Sequence, residues 1–187
     1  MGDESNLTNQ LLIAMPTLAD PNFSQSVAYL CEHNTDGALG IVINRPSGIT
    51  VGELLEHLEI PLEDSEVAAR PVYAGGPVQR ERGFVLHRPL GDWDSSLTVA
   101  DDLGVTTSRD ILEAIARDEG PAEWLLALGY AGWGAGQLER ELAENTWLNG
   151  PASLDILFHR PSDQRWYAAA ASLGVDLSLL SSDTGHA

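Results

Sequence analysis

Apolar positions follow two periods along this chain. Some runs are short and nearly continuous or alternate by two, and others repeat every three to four residues. "QLLIAMP" (10–16) reads as a strand closed by Pro16, and "SVAYLCEHN" (26–34) reads as the next. Asn34-Thr35-Asp36-Gly37 supplies turn residues before "ALGIVINRP" (38–46), so these two runs predict a hairpin. "TVGELLEHLEIP" (50–61) changes period: Leu54, Leu55 and Leu58 form one helical face, and Pro61 ends it. Thr50 with Glu53 three residues on is the spacing of a capping box.

Further on, "PVYAGGPV" (71–78) and "RGFVLHRP" (82–89) predict two strands around a Gly75-Gly76-Pro77 hairpin turn. "SSLTVADD" (95–102) predicts a shorter strand. "TSRDILEAIARDEG" (107–120) is an amphipathic helix with Thr107 as its cap, Asp110 in its first turn and Gly120 beyond its end. "EWLLALGYAGW" (123–133) reads as a strand and "GQLERELAEN" (136–145) as a helix. "SLDILFHRP" (153–161) reads as a strand, "SDQRWYAAAASLG" (162–174) as a helix and "VDLSLLS" (175–181) as an edge strand. Segments 1–9 and 183–187 are expected to be flexible tails. Strands come first as a block, and helices are interspersed later without strict alternation. That order predicts an α+β fold with a mixed, largely antiparallel sheet, and no polar linker divides the chain. A length of 187 residues suits one domain.

Charge narrows the functions available. The chain holds 28 acidic residues against 10 basic ones, every basic residue is arginine, and the net charge is −18. The absence of lysine removes Schiff-base chemistry and the P-loop lysine, and the charge repels nucleic acid. Self-repulsion at this charge predicts that the melting temperature rises as NaCl screens it. The acidic start "MGDESNLTNQ", the lack of a long apolar run and the single cysteine predict a cytoplasmic protein without a membrane segment.

The stretch "YAGWGAGQLEREL" (130–142) resembles a phosphate-cradling turn, but the third glycine of G-x-G-x-x-G is replaced by Gln137 or Glu139, depending on register. Glu139 and Glu141 also bring negative charge to the helix start, where a phosphate would need bare N–H groups. The reading is a tight corner: Gly132, Gly134 and Gly136 supply unusual backbone angles, with Trp133 packed beneath.

Taken together, "LLIAMPTLADPNFSQSVAYLCEHNTDGALGIVINRP", "YAGGPVQRERGFVLHRP", "LALGYAGWGAGQLERELAENTWL" and "LFHRPSDQRWYAAAASLGVD" resemble the AlgH/YqgE family of bacterial proteins. The resemblance runs in register from about residue 10 onward. It implies a single compact α+β domain whose branched sheet curls into a pseudo-barrel. It also brings the label of transcriptional regulator and a link to alginate synthesis, but no established catalytic residues. "TSRDILEAIARDEGPAEWLLALGY" has the outline of a helix–turn–helix. Its second half offers no arginine, asparagine or glutamine to base edges, so direct DNA binding is not expected.

The candidate chemistry is sparse. "GIVINRP", "GFVLHRP" and "DILFHRP" each end in Asn or His, then Arg, then Pro. If these exits converge, Arg45, Arg88 and Arg160 would form a small-anion pocket flanked by Asn44, His87 and His159. If they do not, each arginine is solvated or paired with an acid. Cys31 and His33, two apart on a strand, would leave one face, where the imidazole could activate the thiol. A buried core cysteine is the competing reading. Gly75-Gly76 could instead approach a ligand, Asp101-Asp102 lacks a third oxygen for a metal, and Ser108 reads as part of a helix start. No cofactor and no metal are expected. The reading is a regulatory or interaction protein that works through a protein partner or a small anionic ligand, without nucleic acid or membrane. A small-anion-binding protein or enzyme built on the arginines or on Cys31 and His33 is the alternative.

Overall fold

The computed structural model describes residues 6–180. Ten strands build one sheet: β1 (Gln10–Ala14), β2 (Val27–Asn34), β3 (Gly37–Val42), β4 (Pro46–Thr50), β5 (Pro71–Ala74), β6 (Val78–Arg88), β7 (Ser96–Thr98), β8 (Gly104–Thr106), β9 (Glu123–Gly134) and β10 (Trp147–Pro151). Among the described residues the helices α1 (Val51–His57), α2 (Ser65–Ala68), α3 (Arg109–Ala116), α4 (Gln137–Ala143) and α5 (Arg165–Ala171) accompany it. The sheet runs β10-β1-β2-β3-β9-β6-β8-β7, and β4 and β5 branch from it at β9. Every pairing is antiparallel except β5 with β9. The sheet curls into a half-barrel within a single α+β domain.

Near-continuous apolar runs form strands here because both faces of the sheet are covered. On β1, Leu11 and Ile13 join the inner cluster beneath α5, while Leu12 and Ala14 join an outer cluster beneath α4. A second outer cluster sets Val51 and Leu55 of α1 and Ile111 and Ile115 of α3 against Val85 and Leu126. The alternation breaks at two places. On β9, Leu126 and Leu128 face outward, yet Tyr130 packs inward and Ala131 outward. The reversal falls at Gly129, whose φ is +80°. On β2 a bulge between Leu30 and Glu32 does the same.

Several expectations hold in detail. Thr50 caps α1, and its capping box with Glu53 is complete. Others are corrected. Segment 153–161 is not a strand: Asp155–His159 forms a wide π-helical turn that buries Ile156 and Leu157. A short apolar run without a period does not distinguish the two. Segment 175–181 is not an edge strand, because Asp176 accepts the Ser178 N–H and the chain turns so that Leu179 N–H reaches the Asp176 carbonyl. Position 181 and tail residues 183–187 lie outside the described residues. Of the terminal segment 1–9, residues 1–5 also lie outside them. Asn9 donates its N–H to the Leu30 carbonyl at 2.8 Å, which pins that end of the segment to β2. The cap of α3 is Ser108 rather than Thr107.

Candidate functional site

The Gly75-Gly76-Pro77 segment is not a hairpin turn. Tyr73 and Ala74 of β5 pair with Ala127 and Leu128, and Phe84 and Gly83 of β6 pair with the same two residues. β9 therefore lies between them, and the chain crosses over it at Gly75–Gly76. A Cβ on Gly76 would overlap the carbonyl of Tyr130, and one on Gly129 would overlap that of Gly76. The close approach that the glycines permit is to the protein's own backbone.

Immediately after the crossing β6 leaves its register. Val78 pairs with Tyr130 and Gly83 with Leu128, so Gln79–Arg82 bulge out of the ladder. Gln79 has φ +49°. The excursion carries Arg80 to a cavity of about 340 Å³ beside the crossing, lined also by Asn22, Arg45, Ser47, Gly76 and Pro77. Arg45 is built into its wall. Its Nη1 donates to the Pro21 carbonyl at 2.8 Å and to that of Asn22, and its Nη2 donates to Ser24 at 2.7 Å. Asn44 clamps the same segment, donating to the Gln25 carbonyl and accepting the Val27 N–H, both at 2.9 Å. Carbonyls orient the Arg45 guanidinium without neutralising it. No carboxylate lines the cavity, and neither Arg45 nor Arg80 has an ion pair among the described residues. In a chain with 28 acids, two guanidiniums without an ion pair among the described residues share one concave surface, an arrangement able to take a small anion.

The arginines of the three repeated endings do not meet. β3 pairs with residues 131–134 of β9 and β6 with 123–128, so Arg45 leaves beside the middle of β9 and Arg88 at its start. The third ending is no strand exit at all. Arg88 binds Asp102 at 2.5 Å and Glu123 at 2.9 Å, and Arg160 binds Asp155 at 2.7 Å. His159 bonds the second oxygen of Glu123, so two of the three endings do share one carboxylate. Arg88 and then His159 hold the Glu123 carboxyl below the usual range. Asp102, half of the Asp101-Asp102 pair, is consumed as a partner of Arg88.

Strand alternation sends His87 to the face opposite Arg88. It is wholly buried. The Pro89 carbonyl, 3.0 Å from Nδ1, can only accept, so Nδ1 carries the proton. Nε2 then accepts from the Thr106 hydroxyl at 2.7 Å, and Thr106 accepts from Ser96 at 2.6 Å. Burial lowers the His87 pKa and keeps the ring neutral, so it ties β6, β8 and β7 together.

Cys31 and His33 do not share a face. The bulge on β2 leaves Cys31 in the inner cluster and turns His33 outward, where Nδ1 accepts the Leu7 N–H at 2.9 Å and Nε2 lies 3.4 Å from Glu139. Burial pushes the Cys31 thiol far above its ordinary pKa, and the imidazole is not placed to activate it.

At the corner, only Gly136 has positive φ, at +74°. Gly132 and Gly134 have ordinary room, the nearest atoms to an added Cβ being 3.6 and 3.8 Å away. Gln137 accepts the Gly134 N–H, and Glu141 accepts the indole N–H of Trp133 at 3.1 Å and of Trp147 at 2.9 Å. These carboxylate and amide groups occupy the turn, which packs indoles. The second half of the helix–turn–helix outline is β9, the central strand, so that motif does not form there.

Sequence reasoning missed Arg80. Its signal was the polar quartet "QRER" interrupting an otherwise apolar strand, which marks a bulge.

The fold and this geometry define a single-domain α+β half-barrel protein with a cationic cavity at a strand crossing. The chain belongs to the AlgH-like family (DUF179), whose model matches residues 11–178. It is 64% identical over 187 residues to a UPF0301 protein of Thioalkalivibrio sulfidiphilus, covering 100% of both chains. It is 57% identical to a UPF0301 protein of Nitrosococcus oceani, covering 96% of each. The solution structure of the AlgH protein from Pseudomonas aeruginosa superposes with a TM-score of 0.80 at 51% identity, covering 96% of this chain and 95% of that one. A crystal structure of protein DIP2367 from Corynebacterium diphtheriae shares the fold at 22% identity, with a TM-score of 0.73 over 94% of this chain and 91% of that one. Among the described residues no helix is long and apolar enough to cross a membrane.

Proposed function

We propose that this chain is a cytoplasmic, ligand-responsive regulatory protein that takes a small organic anion in the Arg45/Arg80 cavity. It acts indirectly, through a protein partner, rather than by contacting DNA. One observation carries the reading: two guanidiniums without a carboxylate counterion share a cavity of about 340 Å³ in a chain of net charge −18. A charge balance this acidic steers polyanions away, whereas a small anion reaching the cavity meets an Arg45 guanidinium already oriented by backbone carbonyls. Binding is non-covalent in this reading, because no nucleophile with an activating base lines the cavity.

The test is calorimetric titration with inorganic phosphate, succinate and citrate at low ionic strength, on the wild type and on Arg80→Ala. Arg80 is exposed and bears no structural bond, so the variant retains the wild-type melting temperature. Saturable binding of at least one probe, weakened about tenfold or more by Arg80→Ala, supports the reading. No heat from any probe, or equal binding by the variant, overturns it. A specific, salt-sensitive shift of duplex DNA by the purified chain would refute the indirect mode.

A further inference from the structure

A second pair of arginines, Arg165 buried and Arg70 half-buried, lies away from that cavity. Arg165, the first residue of α5, is only 4% exposed. Its Nη1 donates to the Ile43 carbonyl and its Nε to the Arg160 carbonyl at 3.0 Å, and the guanidinium lies 5.1 Å from the centroid of the Tyr73 ring. Arg70 arrives from the residue before β5. Its Nη2 donates to the Trp124 carbonyl at 2.7 Å, and its guanidinium stacks 3.7 Å over the Trp124 ring. Both line one cavity of about 30 Å³, closed by Tyr73, Leu125, Leu157 and Phe158.

No carboxylate lines this cavity, and neither arginine has an ion pair among the described residues. Taking an unpaired ion out of water costs several kcal/mol, even after relaxation. Carbonyl oxygens and ring faces recover part of that, but they carry no net charge. Among the described residues no carboxylate is placed here, and two like charges remain together under α5. A guanidinium has five N–H donors. The hydrogen bonds to backbone carbonyls use two on Arg165 and one on Arg70, and the Tyr73 hydroxyl takes a further donor of Arg165, which leaves donors spare on both. The cavity exceeds the ~10–15 Å³ that one water needs and is far smaller than the Arg45/Arg80 cavity, which suits a monatomic ion.

We propose that Arg70 and Arg165 form a buried site for a single halide-class anion, with chloride as the probe. The anion offsets one of the two positive charges, bridges the pair, and fastens α5 and the start of β5 to the inner face of the half-barrel. It is independent of the Arg45/Arg80 reading, since it involves other residues and a smaller cavity.

The experiment separates this site from general screening of the acidic surface. The chain carrying Arg80→Ala, which removes the organic-anion cavity, is melted in NaCl, NaBr and sodium gluconate at matched ionic strength. Screening lifts all three curves equally, whereas the site adds a saturable increment in chloride and bromide alone. That increment is about 3 °C at ten times the dissociation constant. Arg165→Gln and Arg70→Gln abolish the increment while retaining the common rise. Should these variants fail to fold, wild-type crystals soaked in NaBr give an anomalous bromide peak between the two guanidiniums. Coincident melting curves in all three salts, or a bromide map with no peak there, would overturn the proposal.

Discussion

Replacing Gly76 by alanine tests the chain crossing directly. Gly76 has φ +156°, and an added Cβ would overlap the carbonyl carbon and oxygen of Tyr130 and the N of Ala131. All three are main-chain atoms of the central strand β9, so no side-chain rotation relieves the clash. Overpacking a rigid environment costs about 1–3 kcal/mol and sometimes more, and a positive φ adds about 1–2 kcal/mol for a residue with a Cβ. The sum is about 2–5 kcal/mol. At about 2–4 °C per kcal/mol for a chain of this length, the melting temperature falls by about 4–20 °C. Gly136→Ala is the control. It also has positive φ, at +74°, but nothing lies within 4 Å of an added Cβ. Only the conformational term applies there, about 1–2 kcal/mol, or roughly 2–8 °C. Urea unfolding of both variants, with unchanged m-values, gives the two free energies. If Gly76→Ala costs no more than Gly136→Ala, the crossing over β9 is wrong.

Other outcomes follow from the buried groups. Burial lowers the His87 pKa, so the folded state favours the neutral ring. Its contribution is complete above the unfolded value near 6.5 and is lost as pH falls through the lower folded value, with a slope of at most about 1.4 kcal/mol per pH unit. His87→Asn retains a donor for the Pro89 carbonyl and loses less stability than wild type between pH 7.5 and 5.5 in urea titrations; equal losses would refute the assignment. Cys31 is 2% exposed with its thiol pKa raised, so a neutral-pH thiol reagent labels the native chain at least about a hundredfold more slowly than the urea-unfolded chain. Rates within tenfold of one another would restore the activated-thiol reading.

Much of the fold was legible in local pattern. The hairpin of β2 and β3 and the strand β9 follow from apolar runs bounded by turn residues, and the capping box at Thr50 and Glu53 announced α1. The arginine readings depended on where strands end relative to one another. That is a matter of register along β9, and the three similar endings carry no information about it. The excursion at Gln79–Arg82 was written in the sequence as four polar residues inside a strand, but its consequence, Arg80 beside Arg45, needed the crossing to be known. β10 pairs Trp147–Pro151 with Ala14–Gln10, and nothing near Asn149-Gly150 reveals a partner so distant in the chain.

Local residue order determined the helical or extended state of most segments, though not of 153–161 or 175–181, together with the family and the acidic balance, because capping, turn chemistry and composition act within a few residues. Tertiary structure alone decided which side chains share a face or a cavity. One extra residue at the Leu30–Glu32 bulge parts Cys31 from His33, and one left-handed glycine at 129 reverses the faces of β9. A side-chain period of two makes every such single-residue slip a change of face, and the slip is set by partners far away in sequence.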